Sequence, residues 1–244
     1  MAGIDMMAWW IALQFLSCLP VRLARMPSPV ETGRSLLFYP AVGLLFGVLL
    51  WALDWLLAGS PSLLHAALLL LGWVLLTGGL HLDGLADTAD AWVGGYGDRV
   101  RTLAIMKDPR SGPMAVVTLV LLLLIKFAAM LALVEGGAST HWWLVPVFSR
   151  AALLGLFLST PYVRPGGLGQ ALAEHLPRST ATWILALCMA LALWVAPAAA
   201  LAGVLAFWFL RRLMLRRLGG TTGDTAGALL ECLEGVMLVS LALG

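Results

Sequence analysis

Long apolar runs are the feature that most constrains the fold of this chain. Several of them reach or approach the roughly 20 residues that an α-helix needs to cross the hydrocarbon layer of a bilayer. Of the 244 residues, 61% are hydrophobic and only 11% are charged. A water-soluble domain of ordinary composition does not carry so much apolar surface. We therefore predict an integral membrane protein that lies largely in the lipid bilayer.

The apolar runs favour helices over a barrel. A segment in hydrocarbon must satisfy its own backbone polar groups, and these Leu-, Ala- and Val-rich runs lack the period-two alternation of barrel strands. The runs lie near residues 5–20, 35–58, 62–80, 113–134, 141–160, 181–196, 198–214 and 224–243. This pattern predicts an all-α polytopic bundle of about seven or eight transmembrane helices, forming one domain over residues 1–244. The first run is also short enough to lie in the interface, and the run around Pro197 is either two spans or one kinked helix.

Basic residues predict the orientation of the bundle. They fall almost entirely in alternate connections, namely at residues 22–34, 99–110, 164–178 and 211–217, and the connections between these have none. Short loops rich in Lys and Arg tend to stay cytoplasmic. We therefore expect the large polar loops to face the cytoplasm, with the N-terminus outside if the first run spans.

The strongest chemical signal is the segment GGLHLDGLADTADAW at residues 78–92. Asp83, Asp87 and Asp90 are spaced i, i+4, i+7, so a helix places them on one face. Three like charges so close repel one another, and a divalent cation with oxygen ligands such as Mg²⁺ would compensate them. A solvated acidic helix end is the alternative interpretation. We take the three aspartates as candidate metal ligands.

A second polar segment is IMKDPRSG at residues 105–112. Lys107 and Arg110 are suited to phosphate oxygens, and Asp108 could ligate a metal or orient a base. The Asp-Pro pair and the following glycine indicate a shaped loop. The alternative for this segment, and an equally good one for Arg99 and Arg101, is ordinary cytoplasmic positive charge.

A third polar segment, RRLGGTTGDTAGALLECLE at residues 216–234, leads into the last apolar run. Backbone N–H groups of its glycine-rich turn, around Gly220 and Thr222, could cradle a phosphate, although the P-loop pattern is absent. Asp224 and Glu231 are seven residues apart and share a helical face. Carboxylates in an apolar span are costly unless they are used or paired, so both are candidate metal ligands.

Four single residues complete the candidate set. Arg150 lies within the fifth apolar run and is interpreted either as a phosphate ligand or as half of a structural ion pair. Lys126 faces the same choice and is left unassigned. His81 could take part in proton transfer, although a lone histidine is more often structural. Arg164, in a glycine-rich loop on the same predicted face, could contact substrate.

These segments together resemble a known family. GGLHLDGLADTADAW, IMKDPRSGP, PYVRPGGLG and GGTTGDTAGALLECLE, in this order, are similar to motifs of the cobalamin synthase (adenosylcobinamide-GDP ribazoletransferase) family. The resemblance extends from about Gln14 to Glu234. It departs at Ser17 and Cys18, where a Thr-Arg-like pair is expected, so no role for a basic residue there is carried over.

The resemblance implies a transferase of the bacterial cytoplasmic (inner) membrane that completes cobalamin (vitamin B12) with Mg²⁺ as cofactor. Its substrates would be adenosylcobinamide-GDP and α-ribazole or α-ribazole 5'-phosphate, and GMP would be released. Asp83, Asp87 and Asp90 would bind Mg²⁺ at the diphosphate, with Asp224 and Glu231 supporting a second metal ion. Lys107, Arg110 and Arg150 would contact phosphate. The metal, an aspartate or His81 could activate the attacking ribose 3'-hydroxyl.

Two other functions fit the sequence less well. A CDP-alcohol phosphotransferase also carries aspartates on a membrane helix, but its DGxxAR core is absent because Asp87 follows Leu85-Ala86. A cation-coupled transporter would place its carboxylates near the bilayer midplane. We expect small-molecule substrates, the lipid bilayer and other cobalamin-assembly enzymes as partners, and no nucleic acid. The sequence does not predict the oligomeric state.

Overall fold

The structure, a computed structural model, describes residues 5–136, 141–167 and 169–244. These residues form twelve α-helices, two short 3₁₀ turns and one isolated backbone bridge, with no β-strand among them. The helices are α1 (Met6–Leu16), α2 (Pro29–Ser35), α3 (Tyr39–Leu56), α4 (Ser62–Thr77), α5 (Leu80–Gly94), α6 (Arg99–Ile105), α7 (Pro113–Glu135), α8 (Val145–Ser159), α9 (Gly169–Glu174), α10 (Arg178–Val195), α11 (Pro197–Leu218) and α12 (Gly223–Leu243). The predicted all-α class is confirmed.

Six helical segments within the described residues are long and apolar enough to cross a bilayer. They comprise α2 with α3, α7, α8 with the turn before it, α10, α11 and α12. The pair α4 and α5 meets the same requirement only when taken together, which gives up to seven spans. The protein is therefore a multi-pass membrane protein, as predicted, with six or seven candidate spans in the described residues against the seven or eight predicted.

The first apolar run does not form a span of its own. Helix α1 has 11 residues and is about 16 Å long, roughly half the hydrocarbon thickness. The chain from Ser17 to Ser28 is not helical, and Asp5 pairs with Arg34 at 3.3 Å. This pair joins the start of α1 to α2. The outside N-terminus was predicted only for a first run that spans the membrane, and α1 is too short to meet that condition.

The stretch around Pro197 forms two helices. Residue Ala196, with φ −146° and ψ 70°, separates α10 from α11, and Pro197 occupies the first turn of α11. A proline lacks the N–H that a helix interior needs but fits at a helix start. Two spans, rather than one kinked helix, are therefore formed here.

A glycine pair separates α4 from α5. Gly78 and Gly79 both adopt left-handed backbone conformations, with φ of 63° and 73°, which glycine reaches without steric cost. The axes of the two helices consequently differ by 88°. The predicted third span therefore ends before the aspartates, which lie together on α5.

Loops between the helices converge at one end of the bundle. Arg217 donates to the backbone carbonyl of Trp92 at 2.7 Å, and the Thr222 hydroxyl lies 3.9 Å from the Met106 sulfur. Val163 donates its backbone N–H to Thr221 at 2.9 Å. The three polar segments and the Arg164 loop, which are far apart in sequence, are thereby brought together.

Candidate active site

Helices α5 and α12 carry the acidic residues, and glycines allow the two helices to pack closely. A Cβ at Gly84 would lie 2.8 Å from the backbone oxygen of Asp224, and one at Gly227 would lie 3.2 Å from the Cα of His81. Small residues at a crossing are a common means of close packing between membrane helices. The crossing places Asp224 against the helix that carries Asp83 and Asp87.

Asp83, Asp87 and Asp224 form what we call the acidic face. In the described part of the chain, neither the Asp83 nor the Asp87 carboxylate has a hydrogen-bond or ion-pair partner, and Asp83 is exposed. Asp87 lies within electrostatic range of both other carboxylates and of Arg164. Three carboxylates thus face one guanidinium, which leaves negative charge available to a cation.

The Arg164 loop is fixed beside the acidic face by the turn that precedes α12. Thr221 donates to the carbonyl of Pro161 at 2.8 Å, and Val163 donates back to Thr221, forming a short parallel bridge. Arg164 Nη1 consequently reaches Asp224 Oδ2 at 2.7 Å. The predicted substrate-binding residue Arg164 therefore lies at the same site as the predicted metal ligands.

Gly220 and Thr222 have structural roles in place of the predicted phosphate contact. A Cβ at Gly220 would lie 2.3 Å from the carbonyl oxygen of Pro161, so only glycine fits there. Thr222 is fully buried and caps α12, accepting from the Thr225 N–H at 3.2 Å. From this turn and helix start, Gly223 and Asp224 line the cavity beside the acidic face, whereas Gly220 and Thr222 do not. The sequence analysis thus identified the correct turn, but it predicted phosphate contacts for two residues that instead determine the shape of the turn.

Asp90 caps a neighbouring helix. Its carboxylate accepts from the backbone N–H groups of Gly112 at 2.5 Å and Ala115 at 3.0 Å, where the positive end of the α7 dipole favours an anion. Both oxygens therefore already accept a hydrogen bond, which distinguishes Asp90 from Asp83 and Asp87. These contacts tie the residue 106–112 loop to α5 and argue against the predicted metal-binding role.

In that loop, Asp108 and Arg110 pair with each other. Arg110 Nη2 lies 2.6 Å from Asp108 Oδ2, and hydrogen bonds from Arg110 lower the pKa of Asp108 to about 2. Arg110 remains exposed, as does Lys107, for which no ion pair is found within the described residues. Lys107 is therefore the readier phosphate ligand, and the predicted catalytic role of Asp108 would require its pair with Arg110 to open.

Arg150 and Glu231 do not reach the acidic face. They belong to a buried ion network with Lys126 and Glu234, in which Lys126 Nζ lies 2.5 Å from Glu231 and 2.7 Å from Glu234, and Arg150 pairs with Glu234. All four side chains are at most 4% exposed. The interpretation of Arg150 as a structural ion pair holds in this structure, and Glu231 is likewise paired instead of being directed at a metal.

His81 lies on the wall of a cavity beside the acidic face. The cavity has a volume of about 380 Å³ and is also lined by Asp83, Arg164 and Asp224. His81 is 5% exposed, and its Nδ1 atom is enclosed without a hydrogen-bond partner in the described residues. Whether His81 takes a proton stays a prediction, but its position at the site is as expected.

The sequence did not identify the aromatic residues of this cavity. Phe15 and Tyr39 form one near-parallel ring pair, with centroids 6.2 Å apart, and Phe157 and Tyr162 form another at 6.3 Å. All four line the cavity. The two pairs draw on three distant segments of the chain, so no local spacing indicates that the pairs meet.

A second cavity of about 420 Å³ adjoins the first. Tyr162 and Arg164 line both, and Arg99 and Glu174 line only the second. Arg99 is thus placed where it could contact a phosphate. The sequence alone did not favour this role over that of an ordinary positive charge at the cytoplasmic surface.

The acidic face fits Mg²⁺ as a partly open site. Over residues 5–136, 141–167 and 169–244, no three His, Cys, Asp or Glu side chains are gathered closely enough to hold a metal ion alone. Mg²⁺ is usually bound by one or two carboxylates together with waters and substrate phosphates. Asp83 and Asp87 supply suitable hard oxygen ligands, and Asp224 has one oxygen that is not bonded to Arg164.

Comparison with known proteins identifies the family. The cobalamin-5-phosphate synthase family matches residues 8–242. Relatives named adenosylcobinamide-GDP ribazoletransferase include one from Pseudomonas fluorescens strain Pf0-1, 67% identical over 98% of this chain and all of its own length. Another, from Pseudomonas putida strain F1, is 65% identical over 98% of this chain and all of its own length. No solved structure gives a significant match. The chain thus belongs to the cobalamin-5-phosphate synthase family of transferases.

Proposed function

We propose that this protein transfers the adenosylcobinamide-phosphate group from adenosylcobinamide-GDP to α-ribazole or α-ribazole 5'-phosphate, in a reaction that depends on Mg²⁺. The observation that carries the proposal is the acidic face, where Asp83, Asp87 and Asp224 meet one guanidinium beside a cavity. Family membership supplies the substrate class, and the excess negative charge supports a divalent cation.

The reaction exchanges one phosphorus–oxygen bond for another. The 3'-hydroxyl oxygen of the ribazole forms a bond to the phosphorus that carries the corrinoid, and the bridging bond of the diphosphate breaks. GMP leaves with the bridging oxygen, and the hydroxyl proton passes to a base. Catalysis of such a transfer consists mostly of positioning and of neutralising charge on the phosphoryl oxygens and the leaving group.

Each part of the site has a role in this exchange. Asp83, Asp87 and Asp224 would hold Mg²⁺, which when bound neutralises diphosphate charge. Arg164 and Lys107 contact phosphate oxygens, and Arg164 also holds Asp224 in position through their 2.7 Å bond. A carboxylate of the acidic face takes the hydroxyl proton. Arg99, in the adjoining cavity, stabilises the departing phosphate.

The site faces the cytoplasm of a bacterial inner membrane in this proposal. The loops and helix ends that converge there carry Arg99, Lys107, Arg164 and Arg217, and the positive-inside rule favours that side. Other cobalamin-assembly enzymes would then reach the site from the same side.

Release of GMP by the purified protein in lipid nanodiscs tests the proposal. The assay supplies adenosylcobinamide-GDP with and without α-ribazole 5'-phosphate, and with Mg²⁺ or a chelator. We expect release only when the ribazole and Mg²⁺ are both present, with the corrinoid product formed in equal amount.

Two variants distinguish the acidic face from carboxylates elsewhere. Asp83→Asn should abolish release, whereas Asp54→Asn should not, because Asp54 bonds His65 at 2.8 Å outside the site. Full activity of well-folded Asp83→Asn protein would refute the metal assignment. No release by the folded parent protein under any condition would refute the transferase itself and favour a different phosphotransferase.

A further inference from the structure

The cavity beside the acidic face is too small for one of the two proposed substrates. Its volume of about 380 Å³ is near the lower end of ligand pockets, which span roughly 300–1,000 Å³. A two-ring base with a ribose is of this size. A corrin macrocycle with its amide side chains and attached nucleotide is several times larger and must lie mostly outside the cavity.

The inner wall of the cavity is apolar and aromatic. Phe157, Leu153 and Leu172 are each at most 6% exposed, and Phe15 and Tyr39 complete this wall. Aromatic rings buried against such walls gain both area burial and favourable ring–ring contacts. The charged residues Asp83, Asp224 and Arg164 also line the cavity. An amphipathic ligand with a flat apolar end therefore matches the cavity.

Few polar groups on the wall are free to bond a base. They are the hydroxyls of Tyr39 and Tyr162 and the imidazole of His81. His81 Nδ1 is enclosed, so Nε2 is the ring nitrogen of His81 that a ligand in the cavity could reach. A ligand that presents a single ring nitrogen could bond this Nε2 atom.

An apolar wall with few polar groups discriminates between the two bases of the reaction, the guanine of adenosylcobinamide-GDP and the dimethylbenzimidazole of α-ribazole. Guanine carries several donors and acceptors along its edges, and burying them without partners is costly. The dimethylbenzimidazole of α-ribazole has one free ring nitrogen and two methyl groups. Its edge suits an apolar wall with one histidine.

We propose that this cavity is the acceptor site, with the dimethylbenzimidazole ring of α-ribazole between Phe157, Leu153 and Phe15 and its free nitrogen bonded to His81. The ribose then lies toward Asp83 and Asp224, where the hydroxyl must attack. The corrinoid and guanosine remain outside. This assignment rests on the proposed function, since it names the position of one of its substrates.

Steady-state kinetics of a matched pair of variants test the assignment. Phe157→Ala enlarges the cavity, whereas Phe148→Ala makes the same change nine residues earlier on α8, at a residue that lines a different cavity. We expect Phe157→Ala to raise the KM for α-ribazole roughly tenfold, with little change in the KM for adenosylcobinamide-GDP. Phe148→Ala should change neither KM. A rise confined to the KM for adenosylcobinamide-GDP would overturn the assignment.

The unmodified protein gives a second test that does not depend on the folding of a variant. The α-riboside of unsubstituted benzimidazole lacks both methyl groups and should show a KM roughly tenfold above that of α-ribazole. GMP should not compete with α-ribazole. Equal KM values for the two ribosides, or competitive inhibition by GMP against α-ribazole, would place another ligand in the cavity.

His81→Phe tests the hydrogen bond to the base. The variant keeps a ring of similar size, so we expect a higher KM for α-ribazole with an unchanged pH profile of kcat. A fall in kcat with an altered pH profile and an unchanged KM would overturn this role and assign His81 to proton transfer. If the parent protein released no GMP at all, the proposed function would fail before the position of the ribazole was tested.

Discussion

Helix α12 contains carboxylates in two contrasting environments. Glu231 and Glu234 belong to the buried ion network, where Lys126 and Arg150 balance their two negative charges. Asp224, two turns earlier, belongs to the acidic face, where three carboxylates share the guanidinium of Arg164. An acidic residue in an apolar helix is therefore not in itself a sign of a reactive site. The charge that its neighbours leave uncompensated indicates whether it can bind a ligand.

The largest effect should come from removing charge at the acidic face. Asp83→Asn and Asp87→Asn should each lower transferase activity by roughly 100-fold or more, because charge neutralisation at the diphosphate is lost. Thermal unfolding in detergent should be unchanged, since neither carboxylate bonds the protein in the described residues. If both variants kept activity within threefold of the parent, the functional distinction between the acidic face and the buried ion network would not hold.

The buried ion network should show the opposite behaviour. Lys126→Met leaves Glu231 without its cation and should destabilise the protein by about 3–5 kcal/mol, as expected when one partner of a buried pair is removed. The measurement is the free energy of unfolding in mixed micelles. The double variant Lys126→Met/Glu231→Met keeps the Arg150–Glu234 pair balanced and should be more stable than Lys126→Met alone. If the single and the double variant were equally destabilised, charge balance would not be what stabilises the network.

Changing Arg164 should have an effect of intermediate size, because this side chain is partly exposed and pairs with only one carboxylate. Arg164→Gln should reduce kcat/KM by roughly tenfold, through loss of one phosphate contact and a less firmly held Asp224. Arg164→Lys should recover only part of this loss, since an ammonium group cannot form the same planar contacts. Full recovery by lysine would indicate that charge alone matters at this position.

The smallest effect should be found at the exposed Asp108–Arg110 pair. The pKa of Asp108 is lowered to about 2 by Arg110, so its contribution to stability is present above the ordinary aspartate pKa and is lost only as the pH falls through about 2. Melting temperatures of Asp108→Asn and the parent should therefore run in parallel between about pH 5 and pH 8. If the difference between the two melting temperatures changed with pH in this range, Asp108 would lie in a more protected environment than the structure indicates.

Hydropathy predicted most of the helices because lipid demands long apolar segments, and their observed ends lie within a few residues of the predicted ones. It placed a span at residues 5–20, where α1 ends at Leu16, since composition alone does not show where a run stops being helical. The direction of α5 was likewise not predicted. It depends on the left-handed backbone of Gly78 and Gly79, which the sequence permits but does not require.

The candidate site was predicted in part. Asp83, Asp87, Asp224 and Arg164 meet because their segments pack together, and unusual charge beside apolar runs was enough to identify them. Arg150 and Glu231 carried the same signal but have partners from other helices. Sequence spacing reveals neighbours along one helix, whereas Lys126 and Glu234 lie 108 residues apart. The aromatic cavity wall was missed for the same reason.

The bend between α4 and α5 also bears on how the chain enters the membrane. A straight helix from Ser62 to Gly94 would be about 50 Å long, well beyond the hydrocarbon thickness of roughly 30 Å. Each aspartate held at mid-bilayer would cost a few kcal/mol during insertion. By turning through 88°, the glycine pair ends the first segment near the length of one bilayer crossing. The chain therefore enters the membrane as a largely apolar segment without Asp, Glu, Lys or Arg, followed by an acidic segment that need not lie along the same axis.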